Sequence, residues 1–233
     1  MNVLAIGPHP DDIEYYSAGT LVKYAQSGHK ITMAVITNGD KGSMGCLQKE
    51  IEKTRKTETE KSAEIINADL IWVGKSDGEL FHSEELRNEF IDIIRMSEAD
   101  VIICSSPNDY HPDHIVCSRL TQESSVLSTV PLIKTKHKPL KENPYIFFND
   151  HLGGMNFYPD EYVDIVDTFE VKKQMLLCHE SQKEWLKAQY SVEMLYSMEI
   201  VARFRGLACK SLFAEGFLSY KSFPGYSTKR LLP

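Results

Sequence analysis

Val3-Leu4-Ala5-Ile6-Gly7-Pro8-His9-Pro10-Asp11-Asp12 passes from a short apolar run into a polar loop within ten residues. The pattern returns further along, where Val101-Ile102-Ile103-Cys104 is followed by Tyr110-His111-Pro112-Asp113-His114. A strand that ends in such a loop places its chemistry at its carboxyl end, the edge at which open α/β sheets bind ligands. Two loops of this kind can bring two imidazoles and a carboxylate together. That set supplies three ligands to a catalytic zinc and leaves one position open. Metal-assisted hydrolysis is therefore the leading expectation.

Working outward, strand-like runs at 3–7, 31–37, 70–73 and 101–105 are bounded by Gly, Asp or Pro. Between them, 13–26, 50–67 and 84–98 carry apolar residues three and four apart, as one-faced helices do. In the last of these the buried set is predicted to be Leu86, Phe90, Ile93 and Ile94. Strands alternating with helices imply crossover connections and a parallel sheet, so the fold class is α/β. Gly28 and Gly39 stand where turns are needed. The second half is less regular: 128–143 reads as a surface excursion, 145–148 as a strand and 171–185 as one helix. A longer helix is expected at 192–209 and a closing strand at 213–220. No repeat or linker breaks the chain, so 1–233 is read as a single domain.

The 233 residues, 42% of them hydrophobic, suit one packed domain. A formal net charge of -7 argues against nonspecific nucleic-acid binding, which depends on basic patches. The five cysteines are widely spaced, odd in number and without a Cys-x-x-Cys pair, as expected for reduced thiols. The chain enters a strand directly after Met1-Asn2, leaving no room for a secretion signal. No apolar run approaches the ~20 residues needed to span a membrane. A soluble, cytoplasmic protein is expected.

Each motif has a plainer reading. Asp11 or Asp12 could simply cap a helix, and His111-Pro112 could be a helix start with solvated histidines. In the functional reading His9 and Asp12 hold a metal and Asp11 stays free to move a proton. The two aspartates then need different environments: the metal-bound one ionised, its neighbour able to change protonation state. For the second cluster, one histidine binds metal and the other faces substrate. Asp113 would hold that second imidazole charged, to stabilise an oxyanion or protonate a leaving amine.

With these motifs the chain resembles the PIG-L/LmbE family of zinc-dependent deacetylases, which act mostly on N-acetylglucosamine-containing molecules. The resemblance begins at His9-Pro10-Asp11-Asp12 and continues through Ala18-Gly19-Thr20-Leu21, Thr37-Asn38-Gly39-Asp40-Lys41-Gly42 and Arg55-Lys56-Thr57-Glu58. It runs on through Ser76-Asp77-Gly78, Asn108 to His114 and Cys178-His179-Glu180-Ser181-Gln182, ending weakly at Ala214-Glu215-Gly216-Phe217. It implies a Rossmann-like three-layer sandwich with a mostly parallel sheet. It also implies that His9, Asp12 and His114 bind zinc, and that Asp11 is first the general base and then the acid. His111, held by Asp113, would stabilise the tetrahedral intermediate, and Arg55 and Asp77 would bind substrate. Many relatives have an arginine where this chain has Tyr110. The implied partner is a small acetylated amino sugar, and homo-oligomers are common in the family. A His2Asp set would also accept other divalent ions. Two alternatives stand beside this one: a related zinc amidase for a non-sugar amide or a thiol conjugate, and a non-catalytic sugar- or nucleotide-binding module. Against the module, the first loop lacks the glycines that cradle a pyrophosphate.

Overall fold

In the computed structural model, which describes residues 1–222 and 230–233, seven strands form one sheet in the order β3-β2-β1-β4-β5-β7-β6. The strands are β1 Asn2–Gly7, β2 Lys30–Thr37, β3 Asp69–Lys75, β4 Val101–Cys104, β5 Tyr145–Asn149, β6 Glu161–Asp164 and β7 Ala214–Ser219. The first five pair in parallel, while β7 runs antiparallel to both β5 and β6. The helices are α1 Asp12–Gln26, α2 Gln48–Ile65, α3 Glu84–Met96, α4 Pro112–Leu127, α5 Phe169–Leu177, α6 Glu180–Tyr190 and α7 Met194–Cys209. Among the described residues, no helix is long and apolar enough to cross a membrane.

Successive side chains of a strand point to opposite faces, and here both faces are apolar. Val3 and Ala5 enter one core with Ile31, Met33, Val101 and Ile103, against α1, α2, α5 and α7. Leu4 and Ile6 enter the other with Ala34, Ile36 and Ile102, against α3 and α4. The result is the expected three-layer α/β sandwich. Continuous apolar runs such as 3–6 and 101–104 are the mark of strands covered on both sides. Each fully buried Leu or Ile contributes about 1.5–3 kcal/mol relative to an exposed one.

The sequence expectations depart from the structure in three places. The helix expected over 171–185 is two helices, broken at Cys178 and His179. The His179 ring turns inward there, with Nε2 3.0 Å from Glu14 Oε1. The Glu58 carboxylate then accepts from the Ser181 N–H at 2.9 Å and its hydroxyl at 2.6 Å, restarting the helix. The short strand β6 was not anticipated, and of helix α4 only the start at His111-Pro112 was read, not its extent. The buried face of α4 includes Ser118, Thr121, Ser124 and Ser125, which carry little apolar signal. In β6 only Val163 is buried.

The four residues predicted to form the inner face of α3 are all buried. Phe90 is fully enclosed in the second core. Phe90→Ala should destabilise the fold by about 3–5 kcal/mol, read from chemical denaturation. Phe81, 71% exposed, should shift by no more than about 0.5 kcal/mol on the same change.

Candidate active site

Strand order reverses between β1 and β4, which lie side by side with Ile6 paired to Cys104. One connection leaves toward β2 and the other toward β5, so a crevice opens at their carboxyl ends. The loop after β1 and the first residue of α1 deliver His9, Asp11 and Asp12; the loop after β4 and the first turn of α4 deliver Asp109, His111, Asp113 and His114.

Three atoms converge. His9 Nδ1 lies 3.2 Å from Asp12 Oδ2 and 3.2 Å from His114 Nε2, and the latter two are 3.3 Å apart. Zinc bonds to nitrogen and oxygen of 2.0–2.2 Å set the ligands of a tetrahedral shell about 3.3 Å apart. The triangle therefore has the size of one face of such a shell. The two rings are held from behind in the same way. His9 Nε2 lies 3.1 Å from Asp113 Oδ2, and His114 Nδ1 lies 2.9 Å from Asp109 Oδ2. Carboxylates placed there orient metal-ligating imidazoles and raise their basicity. His9, His111 and His114 also offer nitrogens within 4.8 Å of one another, so a histidine triad is a second set able to hold a cation.

The charges are consistent with a site built for positive charge. Burial alone would lower His9, yet Asp113 and Asp12 carry it up to about 10. Burial likewise opposes protonation of His114, which Asp12 and Asp109 raise to about 9. Burial would raise Asp12, but His114 and His9 hold it well below the usual carboxylate range. Asp11 behaves oppositely. Its burial outweighs the Arg55 guanidinium and lifts it to about 7. The two adjacent aspartates thus differ in the sense expected of a ligand and a proton carrier.

Asp11 is the N-terminal flanking residue of α1, but its side chain makes no capping bond. Its backbone has φ of 114°, costly for a residue with a Cβ. Arg55 Nη2 donates to the Pro10 carbonyl and lies 3.2 Å from Asp11 Oδ1. Arg55 Nη1 reaches Asp77 Oδ2 at 3.8 Å. Only 2% exposed, Arg55 is buried although α2 otherwise carries many exposed charged residues. Asp77 Oδ1 accepts from the Gly39 N–H at 2.9 Å, so the pair also fixes the glycine loop.

The expected pairing of Asp113 with His111 is replaced. The Asp113 carboxylate sits on His9 and accepts from the N–H groups of Gly78 at 2.6 Å and Leu80 at 3.3 Å. His111 caps α4 instead, its Nδ1 accepting from the Asp113 N–H at 3.3 Å. That bond leaves the ring proton on Nε2. Burial and the neighbouring His9 and His114 lower the His111 pKa, which makes it a neutral donor and not the charged group expected. Asp109 was missed by the sequence reading, although it stands in the second motif. Its partner lies five residues on, and only the folded loop brings the two together.

A cavity of about 510 Å³ opens over this cluster, lined by His9, Asp11, Asp12, Arg55, Asp77, His111 and His114. All of the predicted site residues except Asp113 lie along it, and Asp113 sits behind His9.

The family model described as GlcNAc-PI de-N-acetylase, PIG-L, matches residues 4–125. Diacetylchitobiose deacetylase of Thermococcus kodakarensis is 31% identical over 193 residues, 77% of this chain and 69% of the relative. The N,N'-diacetylchitobiose deacetylase structure from Pyrococcus horikoshii, bound to an inhibitor, superposes with a TM-score of 0.83 at 26% identity. It covers 94% of this chain and 83% of that one. A more distant relative, 4-oxalmesaconate hydratase of Pseudomonas putida, is 21% identical over 78% of this chain and 74% of its own length. With both site-forming loops inside the matched segment, the chain belongs to the PIG-L family and is an amide-hydrolysing enzyme of its deacetylase type.

Proposed function

We propose that the protein is a zinc-dependent hydrolase that removes the acetyl group from an N-acetylglucosamine-containing small molecule. The observation that carries this reading is the triangle of His9 Nδ1, Asp12 Oδ2 and His114 Nε2, beside a carboxyl raised to about 7. His9, Asp12 and His114 would hold the ion. Bound there, zinc would polarise the amide carbonyl and make water more acidic.

The chain's own groups do the rest. Asp11, near the protonation midpoint at neutral pH, accepts a proton from water as it attacks the amide carbon. The same carboxyl returns that proton to the departing nitrogen, so the products are acetate and a free amine. His111 presents its Nε2–H to the developing oxyanion, a role that suits a neutral ring as well as a charged one. Asp113 and Asp109 keep the two ligand rings facing inward. Arg55 fixes the strained Asp11 backbone, and Asp77 leaves a carboxylate at the cavity wall to accept from sugar hydroxyls.

Zinc-loaded protein should release primary amine from N-acetylglucosamine, chitin oligomers or N-acetylglucosaminyl conjugates of malate or inositol. Silence on all of them with zinc bound would move the substrate outside amino sugars. Asp11→Asn should keep zinc and lose about 10²–10⁴ in turnover; a near-wild-type rate would remove Asp11 as the base. His9→Ala should lower zinc content, and unchanged zinc there would exclude His9 from the ligands. Asp113→Asn should weaken metal affinity about 10–100-fold in a chelator competition. Unaltered affinity would show that the Asp113–His9 contact does not support the metal.

A further inference from the structure

The cavity is larger than its catalytic corner. Its far wall comes from helix α6 and the turn that follows, through Trp185, Leu186, Tyr190 and Val192, and Tyr110 adds an edge from the β4–α4 loop. None of these residues has a part in the chemistry above. At about 510 Å³ the space falls among pockets that enclose a drug-sized ligand, and a single acetamido sugar leaves much of it unfilled.

The wall is fixed in place. Glu58 holds the first turn of α6 through Ser181, and Gln182 Nε2 donates to the Gly42 carbonyl at 3.3 Å. Leu186 packs on the main core, and the Val192 N–H donates back to the Leu186 carbonyl at 3.2 Å, closing the turn. Trp185 and Tyr190 meet edge to face, with ring centroids 6.2 Å apart. Tyr190 is nonetheless 61% exposed, a large ring surface left unburied on a rigid support.

The charges of the lining narrow the ligand. Among the described lining residues the cationic side chains are Lys41, ion-paired with Glu79, Arg55, buried against Asp11 and backbone carbonyls, and the imidazoles of His9 and His114, each held by buried carboxylates. Asp11, Asp12 and Asp77 add only carboxylates. An acidic group attached to the sugar meets no cation reserved for it. A neutral sugar ring does find a match, since the C–H face of a pyranose suits the negative face of an aromatic ring.

Resting on the deacetylase reading, we propose that Trp185 and Tyr190 form a subsite for an uncharged sugar ring linked to the N-acetylglucosamine that is cleaved. The preferred substrates are then neutral oligosaccharides of two or more rings, in preference to the free sugar or an acidic conjugate.

The test compares kcat/KM of the zinc-loaded protein for N,N'-diacetylchitobiose, N-acetylglucosamine and N-acetylglucosaminyl malate. Wild type should favour the disaccharide over both others. The disaccharide-to-monosaccharide ratio should fall about tenfold in Trp185→Ala and in Tyr190→Ala, and Trp185→Phe, which keeps a ring, should retain most of it. A ratio that neither variant changes, or a wild-type preference for the malate conjugate, would overturn the subsite. A second readout does not depend on turnover. In zinc-loaded Asp11→Asn, diacetylchitobiose should shift the tryptophan emission, and this shift should vanish when Trp185→Phe is added. No shift would overturn the subsite even if deacetylation is established. A shift with no amine release from any substrate by the wild type would uphold the subsite and overturn the reaction.

Discussion

The parallel pairing of β1 with β4, ending at Ile6 and Cys104, is the constraint on which the site depends. The loops leaving these strands are about a hundred residues apart in the chain but start from neighbouring points of the sheet edge. Every contact in the metal-sized triangle except His9 with Asp12 crosses from one loop to the other. A slip of one residue in this register would turn each side chain to the opposite face. Continuous burial on both faces opposes such a slip, because Leu4 and Ile6 serve one core while Val3 and Ala5 serve the other. Packing on the two faces of the sheet thus carries through to the placement of two imidazoles.

Charge is the second constraint. Asp12, Asp109 and Asp113 are all buried around His9 and His114. Unpaired buried carboxylates are too costly to remain ionised. The cluster therefore draws positive charge to its centre, from protons on the rings or from a cation that displaces them. Asp11 lies on the edge of this arrangement. It shares the burial of its neighbour, but His9 and His114 hydrogen-bond to Asp12, whereas the imidazoles of His179 and His9 act on Asp11 through charge alone and Asp12 raises it further, which is why adjacent aspartates diverge in acidity.

Much of this was legible in the sequence because strong local signals coincided. The four β-branched runs of the first half gave the parallel sheet, and the stripe Leu86, Phe90, Ile93 and Ile94 gave α3. The motifs gave the site residues that meet at the crevice. What was not legible depended on contacts between distant parts of the chain. Beyond its start at His111-Pro112, helix α4 escaped because its buried face is largely serine and threonine, whose hydroxyls bond within the helix, as Thr121 does to the Cys117 carbonyl. The helix break at His179 follows from Glu14, which lies 165 positions earlier and is buried with it. The partner of Asp113 could not be read either. His111 and His9 were equally plausible by type, and only the β1–β4 register brings His9 to its carboxylate.

The glycine loop shows how a single missing methyl can serve chemistry elsewhere. Gly39 was read from the sequence as a turn residue, but it has a further use. With φ of 72° and Arg55 packed directly beneath it, a Cβ there would collide with Arg55 Cδ. Only glycine lets the arginine pass beneath the loop to reach the Pro10 carbonyl and Asp11. That contact acts on Asp11 in two ways at once. It holds a backbone conformation that costs of order 1–3 kcal/mol, and its charge offsets part of the burial that raises the carboxyl. Without the guanidinium, Asp11 would be both freer to turn away and harder to ionise. Arg55 is therefore better understood as a strut that sets the position and acidity of the proposed base than as a free arm for substrate.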